Sequence, residues 1–532
     1  MKNVDIETFP GSVKVGKKPS IDSNPSISST FTVDDATDLF TSAVSIDSLT
    51  TNDAVNFTTT GVLPAPLGTS TNYFISEQSS TTFKVGTSIA NITSGAYTNI
   101  TDTGTGTHTF ATVNMGNVMH IVYDRRSTIY FAQDSNARVW YNQTGKFYLL
   151  NGNTLTSGVG NGLALLLNSD GSATYLFAFR NATIDVVNVF GTSNVEAPSW
   201  SNGWQALNST AGSDNPHHAI YAQDAIIYFT DDRFVGSIRE NSGQVFNPAT
   251  GATYTYTNQA LDMPKGEITG WLAEQGKNLL IAGRSYNRIY PWDRVSSSFN
   301  LPLLVPEQGV YRMQNIGNIV YVLAGTRGNV YSTQGTYVQL VRKLPEYLIN
   351  DGTSILTNPA VWGGIAQRNG ALLFGVQSST TGNNSGVYMM YPDGRLVIDA
   401  VPVSGTTRVE AIYADNEIYK YGYTGAIASF SGGRYSSFEG VVESALYRVA
   451  TKTLKTTYSE LEIQLAQPIS GGHVRVSYGT STGGNFTTLD TYTTDGTNVS
   501  YKTDAGIIDV EDIQVKVEMD GNIELMEVRL IP

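Results

Sequence analysis

Five histidines, no cysteine and a scatter of Asp–Arg neighbours are what this 532-residue sequence offers for chemistry. The histidines are His108, His120, His217, His218 and His473. None is spaced i, i+4 and no HExxH occurs, so a three-ligand metal site would have to be gathered from distant loops. His217-His218, after Pro216, suits a structural place at a strand edge. The lack of cysteine removes disulfides, thiolate metal sites and cysteine nucleophiles together. A nucleophilic serine needs a G-x-S-x-G elbow opening a helix. Ser193, Ser199 and Ser285 fall in turns without that frame. Residues 11–18, from Gly11 through Gly16-Lys17-Lys18, approach a phosphate-binding loop one residue short. Lys18 stands where the Mg²⁺-binding hydroxyl belongs, and Pro19 follows where a helix should start.

Glycosidic cleavage requires two carboxylates facing one bond. Asp124, Asp231-Asp232, Asp293 and Glu346 stand at strand ends. Asp124-Arg125-Arg126, Asp232-Arg233 and Asp293-Arg294 each set an acid beside a base, a pairing that fixes turns. The sialidase-type S-x-D-x-G-x-T-W repeat has no match; Ser169-Asp170-Gly171 comes nearest and lacks the tryptophan. The expectation is therefore a non-enzyme with no catalytic residue, metal or cofactor, and a propeller glycosidase as the remaining alternative. Trp200 and Trp204 flank Ser201-Asn202-Gly203 in an expected loop, and Trp292 closes Tyr290-Pro291-Trp292 at a strand end. If exposed, these indoles suit stacking on sugar rings; the competing reading has them filling sheet interfaces.

Those residues must be carried by strands. Charged residues are only 15% of the chain, against a usual ~25%. Gly numbers 52 and Tyr 30, a profile of short strands and turns rather than helices. The hydrophobic share of 40% is ample for a core. With 33 basic residues and a net charge of −13, the chain is a poor coat for nucleic acid. The start, Met1 to Glu7, has no apolar run of a secretory leader, and no stretch reaches 18 apolar residues; neither a leader nor a membrane span is expected. The Asn-x-Ser/Thr triplets at Asn56, Asn91, Asn142 and Asn181 read as by-products of composition.

From residue 117 the sequence repeats. One strand per unit sets the register: Ile129–Phe131, Tyr175–Phe177, Ile227–Phe229, Leu279–Ile281, Val320–Val322, Leu372–Phe374 and Glu417–Tyr419. The offsets are 46, 52, 52, 41, 52 and 45 residues. A third strand follows each, as in Arg138–Trp140 and Arg288–Tyr290, and a first strand precedes most, as in Met119–Val122 and Val310–Met313. A weaker fourth run, such as Phe147–Leu150, closes several units. A four-stranded sheet cannot cover its own faces, and radial packing of such sheets covers them all. The expected fold is all-β: a seven-bladed β-propeller over 117–440. A small N-terminal β-barrel or sandwich precedes it over 28–112, and a C-terminal β-sandwich follows over 441–532. Residues 1–27, broken by Pro10, Pro19 and Pro25, are expected as an extended arm that frays or docks on another subunit.

Residues 28–112 resemble a small β domain that recurs in structural proteins of tailed bacteriophages. The resemblance rests on Thr50-Thr51-Asn52-Asp53 to Gly61, Leu63-Pro64-Ala65-Pro66-Leu67, Tyr73-Phe74-Ile75, Thr82-Phe83-Lys84-Val85 and Asp102 to His108, which ends in Gly-Thr-Gly-Thr-His. Thr8 to Ser12, Gln133 to Asn136, Tyr290 to Asp293 and Tyr391 to Gly394 are similar to uncharacterised phage proteins of this layout. The resemblance implies a virion structural component of the tail, nozzle or neck. Such a component works through contacts with other virion proteins and as a homo-oligomeric ring. Its alternative is a tail protein that binds a host-cell receptor or glycan. No catalytic residue carries over.

Overall fold

A computed structural model describes residues 4–5, 13–15, 20–23, 26–143, 146–150, 160–180, 182–209, 217–325, 328–344, 362–376, 386–392, 394–400, 409–415, 419–423, 426–429, 440–443, 447–448, 456–480, 486–493, 497–510 and 512–531. The architecture is all-β, with two compact units. The larger holds residues 21–369 and 408–427; the smaller holds 1–20, 370–407 and 428–532. Among the described residues no helix is long and apolar enough to cross a membrane.

The larger unit begins with a closed six-stranded barrel, in the order Ser28–Asp34, Leu39–Ser42, Thr82–Gly86, Tyr73–Glu77, Ala54–Thr59 and His108–Thr112. Strict alternation along Ser28–Asp34 turns Phe31 and Val33 inward. Six strands leave a bore that side chains fill: Phe40 stacks on Phe57 and Phe83 at centroid distances of 5.5 and 5.2 Å. The short helix Ile89–Ser94 begins where the Ser88 hydroxyl accepts the Asn91 N–H, and ends at Gly95, whose φ of 74° suits glycine. Its Ile89 and Ile92 join the apolar cluster that holds Phe131 and Trp140. Lys146 reaches back to Asp53 at 2.6 Å.

Four-stranded sheets follow. The first is Val118–Asp124, Ile129–Asp134, Val139–Gln143 and Lys146–Leu149. The second is Gly160–Leu167, Thr174–Arg180, Thr183–Asn188 and Trp200–Ala206. The third is Ala219–Tyr221, Ile227–Asp231, Phe234–Glu240 and Tyr254–Asp262. The fourth is Thr269–Gln275, Asn278–Gly283, Arg288–Trp292 and Leu303–Leu304. The fifth is Val310–Ile316, Ile319–Ala324, Asn329–Thr333 and Val338–Lys343. The last is Ala411–Ala414, Tyr419–Tyr423, Ala426–Ser429 and, from the far end of the chain, Ser20–Ser23.

The first strands of these sheets neighbour one another in order. Trp362–Arg368 stands between the fifth and the last, and Ala411–Ala414 returns to Val118–Asp124. Seven inner strands thus close a ring, which is the plan of a β-propeller. Second strands are covered on both faces and read as continuous apolar runs: Ile227–Asp231 is buried along its length. The expected second strands fall where the structure has them; Glu417 and Ile418 lie outside the described residues, and Tyr419 begins that strand.

Specific seams join neighbouring sheets. Gln133 donates to the Phe179 carbonyl at 3.1 Å and accepts the Gly162 N–H at 2.9 Å. Gly162 also lies so close to the segment leading into the third sheet that a Cβ on it would lie 1.9 Å from the His217 carbonyl oxygen. Arg294 spans the third and fourth sheets, meeting Asp224 at 3.2 Å and Glu274 at 2.7 Å. Where the last sheet meets the first, the Lys420 ammonium sits 4.7 Å from the Tyr130 ring centroid.

In the smaller unit, Ala371–Val376, Gly386–Met390 and Leu396–Ala400 form an antiparallel meander. One five-stranded sheet runs Val4–Asp5, Val13–Val15, Glu524–Ile531, Thr456–Leu465 and Ser500–Val510. A second runs Gly440–Glu443, Asp512–Met519, Val474–Gly479 and Thr487–Tyr492, with Tyr447–Arg448 pairing onto Asp512–Met519. Both sheets contribute to one buried cluster, Leu461, Ile463 and Leu525 from the first and Val474, Val476 and Val517 from the second.

Two expectations change. The described parts of residues 1–27 are not a bare arm: Val4–Asp5 and Val13–Val15 extend the sheet of Glu524–Ile531, and Ser20–Ser23 completes the last four-stranded sheet. Backbone hydrogen bonding at an open sheet edge outweighs the proline signals there. Trp200 and Trp204 lie on the strand Trp200–Ala206 rather than in a loop, with Ser201-Asn202-Gly203 as its middle.

Candidate functional site

The structure sends the three tryptophans to three different clusters. Trp200 is half-buried against the cluster of Leu163 and Leu176. Trp204 is half-buried among Phe177, Phe246, Tyr254 and Tyr256, and its indole N–H donates to the Pro248 carbonyl at 3.1 Å. Trp292 is buried, donates to the Ser296 carbonyl at 2.7 Å and meets Tyr228 edge-on. No common stacking platform results.

The carboxylates are likewise dispersed, with Asp124, Asp231 and Asp293 on the first, third and fourth sheets or the turns leaving them. Asp124 accepts from the Arg126 N–H at 3.1 Å and the Ser127 hydroxyl at 2.6 Å. Asp231 is buried and accepts from the Asn208 amide at 2.8 Å and from the Ser209 N–H and hydroxyl at 3.0 and 2.6 Å. Asp232 occupies the left-handed region, φ 55°, in the following turn. Asp293 takes the Ser296 hydroxyl and N–H and the Val295 N–H, which hold its carboxyl below the usual range. Glu346 lies outside the described residues.

Of the histidines, His108 latches the barrel loop, with Nδ1 2.9 Å from the Thr59 hydroxyl and Nε2 3.1 Å from the Thr103 carbonyl. His217 is buried, its Nδ1 2.8 Å from the Thr230 carbonyl. His473 pairs with Asp520 at 3.0 Å. Among the described residues no group of three or more His, Cys, Asp or Glu is placed to hold a metal ion.

His120 and His218 differ from these: they line a half-open cavity of about 230 Å³ bounded by the described inner strands. Trp271, Glu274, Gln314 and Glu410 line it with them, over an apolar wall of Leu163, Met313 and Ile365. The imidazole of His218 stacks on the indole of Trp271 at 3.5 Å between centroids and 18° between planes. The Arg312 guanidinium lies 4.5 Å from the same indole centroid and 3.8 Å from the Glu410 carboxylate. The Leu272 N–H donates to His218 Nδ1 at 3.0 Å, which leaves the ring hydrogen of the neutral imidazole on Nε2. Desolvation, then the charges of His120 and Arg312, hold the His218 imidazole well below its ordinary pKa of 6.5. At the other end of its strand Glu274 accepts from the Gln223 N–H at 3.0 Å and from Arg294 at 2.7 Å.

Backbone bulges build this band. Register shifts fall between Val118 and His120, Thr269 and Leu272, and Val310 and Arg312. A bulge re-aims a side chain that strict alternation would send elsewhere. The sequence signal was present once units are superposed: His120-Ile121, His218-Ala219, Trp271-Leu272, Arg312-Met313 and Glu410-Ala411 each open an inner strand with a large polar or aromatic residue before an apolar one. A larger groove, about 660 Å³, lies on the barrel beside the Thr103–His108 loop; threonines, glycines, Phe31 and Val33 line it, and its surface is more apolar than polar.

No family model and no curated protein matches the chain. Among solved structures it is similar to the β-propeller domain of Cps50 (Swd1) from Myceliophteria thermophila, at 11% identity and a TM-score of 0.40, over 60% of this chain and 96% of that one. It is similar to the computationally designed protein Ika8 at 12% identity and 0.37, over 59% and 96%. It is similar to Raptor from Chaetomium thermophilum at 8% identity and 0.42, over 59% of this chain and 28% of that one. The propeller assignment rests on sheet order and the closed ring of inner strands, independently of these likenesses.

Proposed function

We propose that this chain is an architectural subunit of a tailed-phage virion, working through protein–protein contacts as part of a tail, nozzle or neck ring. In this reading the seven inner strands head seven blades, the barrel of 28–112 is an attachment module and the C-terminal sheets form a β-sandwich. The observation that carries the architectural part is the use of its inward-facing acids. Buried Asp231 and Glu267 and half-buried Glu307 accept hydrogen bonds from the protein's own hydroxyls and amides, as rivets within the sheets. Such a body is stiff, and its strongest polar groups are committed to holding it together. The virion assignment is supported by the resemblance of residues 28–112.

The test is assembly. The purified full chain, followed by sedimentation and electron microscopy across a concentration series, is expected to form closed rings of defined copy number. A protein that stays monomeric at all concentrations, and is not found by mass spectrometry in purified particles of a phage that encodes it, overturns this reading. Turnover of a host polysaccharide by the pure chain would replace it with the glycosidase alternative.

A further inference from the structure

We propose that the central cavity binds one small, neutral, hydroxyl-rich molecule, a monosaccharide or polyol. This inference goes beyond the architectural reading and does not depend on it.

Size comes first. At ~30 Å³ per water, the share one molecule takes in the liquid, a cavity of about 230 Å³ holds roughly seven or eight waters, close to the volume of a single pyranose. Charge comes next. Arg312 faces Glu410 and Arg294 faces Glu274 and Asp224, while His218 is held neutral. The cationic and anionic groups around the cavity therefore already face one another. Among the described residues, a charged ligand would lose hydration and meet only charges that already face an opposite one; a neutral one loses far less.

Hydrogen-bonding character then selects hydroxyls. The Glu410 and Glu274 carboxylates and the Gln314 amide oxygen accept, and His218 donates through Nε2, while the Gln314 amide nitrogen donates to Asn315 at 3.1 Å. Planar groups of these kinds serve vicinal hydroxyls, each of which can donate and accept at once. The apolar wall of Leu163, Met313 and Ile365 suits the C–H face of a sugar ring. Trp271 is braced by His218 and Arg312, so its indole is a rigid wall and a built-in reporter.

The experiment is calorimetric titration of the full chain with D-glucose, D-galactose, N-acetyl-D-glucosamine and myo-inositol, with inorganic phosphate and acetate as charged probes. The expected result is saturable binding of at least one neutral probe, a change in tryptophan fluorescence that is lost in Trp271→Phe, and an affinity reduced about tenfold in Gln314→Leu and in Glu410→Gln. Methyl glycosides of the binding sugar separate two sources: retained affinity indicates the end of a glycan, lost affinity a free sugar. No saturable binding means ordered water alone fills the cavity and overturns the proposal. So does tighter binding of phosphate or acetate, or sugar binding unchanged in both folded variants. Ring assembly measured on the same samples keeps the two conclusions separate: rings without sugar binding sink only this inference, and sugar binding by a strict monomer that is also absent from purified particles sinks only the architectural one.

Discussion

Tyr290 donates its phenolic hydrogen to Glu267 at 2.8 Å, and one sheet further on Tyr331 donates to Glu307 at the same distance. Each acid lies just before an inner strand, and each tyrosine is on the third strand of the same sheet. The bond thus pins the entry of a sheet to its interior. Burial, then the hydrogen bond and charge of Glu267, push the Tyr290 phenol up, so it stays a donor.

Tyr290→Phe leaves the packing and removes this donor from a carboxylate that is 2% exposed. A hydrogen bond to a charged group contributes about 1.5–3 kcal/mol. The expected outcome is a lower melting temperature, read by calorimetry. Gly283→Ala should act on the same carboxylate, because a Cβ there would lie 2.5 Å from Glu267 Oε2. The double variant should lose less than the sum of the two.

Lys420 is 8% exposed and lies over the rings of Tyr130 and Phe147, at 4.7 and 5.8 Å, where the last sheet meets the first. Lys420→Met keeps much of the stem and removes the charge. A desolvated cation–π contact is worth about 2 kcal/mol. The variant should show faster hydrogen exchange in residues 118–134 and 411–423, with exchange in the barrel unchanged.

His218 makes stability depend on pH. Its folded-state pKa lies below the ordinary 6.5, so the unfolded chain takes up the proton first. The contribution is fully present above about pH 6.5 and is lost as pH falls from there toward the depressed value, by at most ~1.4 kcal/mol per pH unit. The melting temperature of the wild type should fall between pH 7 and pH 5 more steeply than that of His218→Gln. Parallel curves would refute this.

Gly162→Ala should be among the most damaging alanine substitutions in the ring, because its Cβ would collide with the His217 carbonyl oxygen at 1.9 Å. Gly251→Ala is the control: nothing lies within 4 Å of its Cβ and its backbone is outside the left-handed region. Soluble yield and melting temperature should drop for the first and hold for the second.

Deleting residues 1–23 removes the outer strand of the last sheet and two strands from the sheet of Glu524–Ile531. The exposed edges should make the shortened chain aggregate and become sensitive to proteolysis near residues 426–429. A monomeric, protease-resistant product would contradict the pairing.

Much of the fold was legible because its signals are local. Runs such as Ile227-Tyr228-Phe229 announce a strand covered on both faces, and their spacing counts the sheets. The shorter elements were not legible: Leu39–Ser42 and Leu303–Leu304 are too brief to show a period, and Ser500–Val510 is a polar-rich strand whose place is set by its partner Thr456–Leu465. Glu267 and Glu307 gave no motif, since only the fold brings a tyrosine some twenty residues away onto each.

The candidate site divides in the same way. Composition alone decided that thiol chemistry is excluded and that the architecture is β, because residue type and period-two burial are properties of the chain itself. The gathering of His218, Trp271, Arg312 and Glu410 around one cavity was decided only in three dimensions. Ring closure converges strands as far apart in sequence as Val118–Asp124 and Ala411–Ala414, and bulges turn side chains off the alternation a sequence can show. The same closure decided that Trp292 is interior and that Ser20–Ser23 is an edge strand, since an unpaired sheet edge takes whichever segment can reach it.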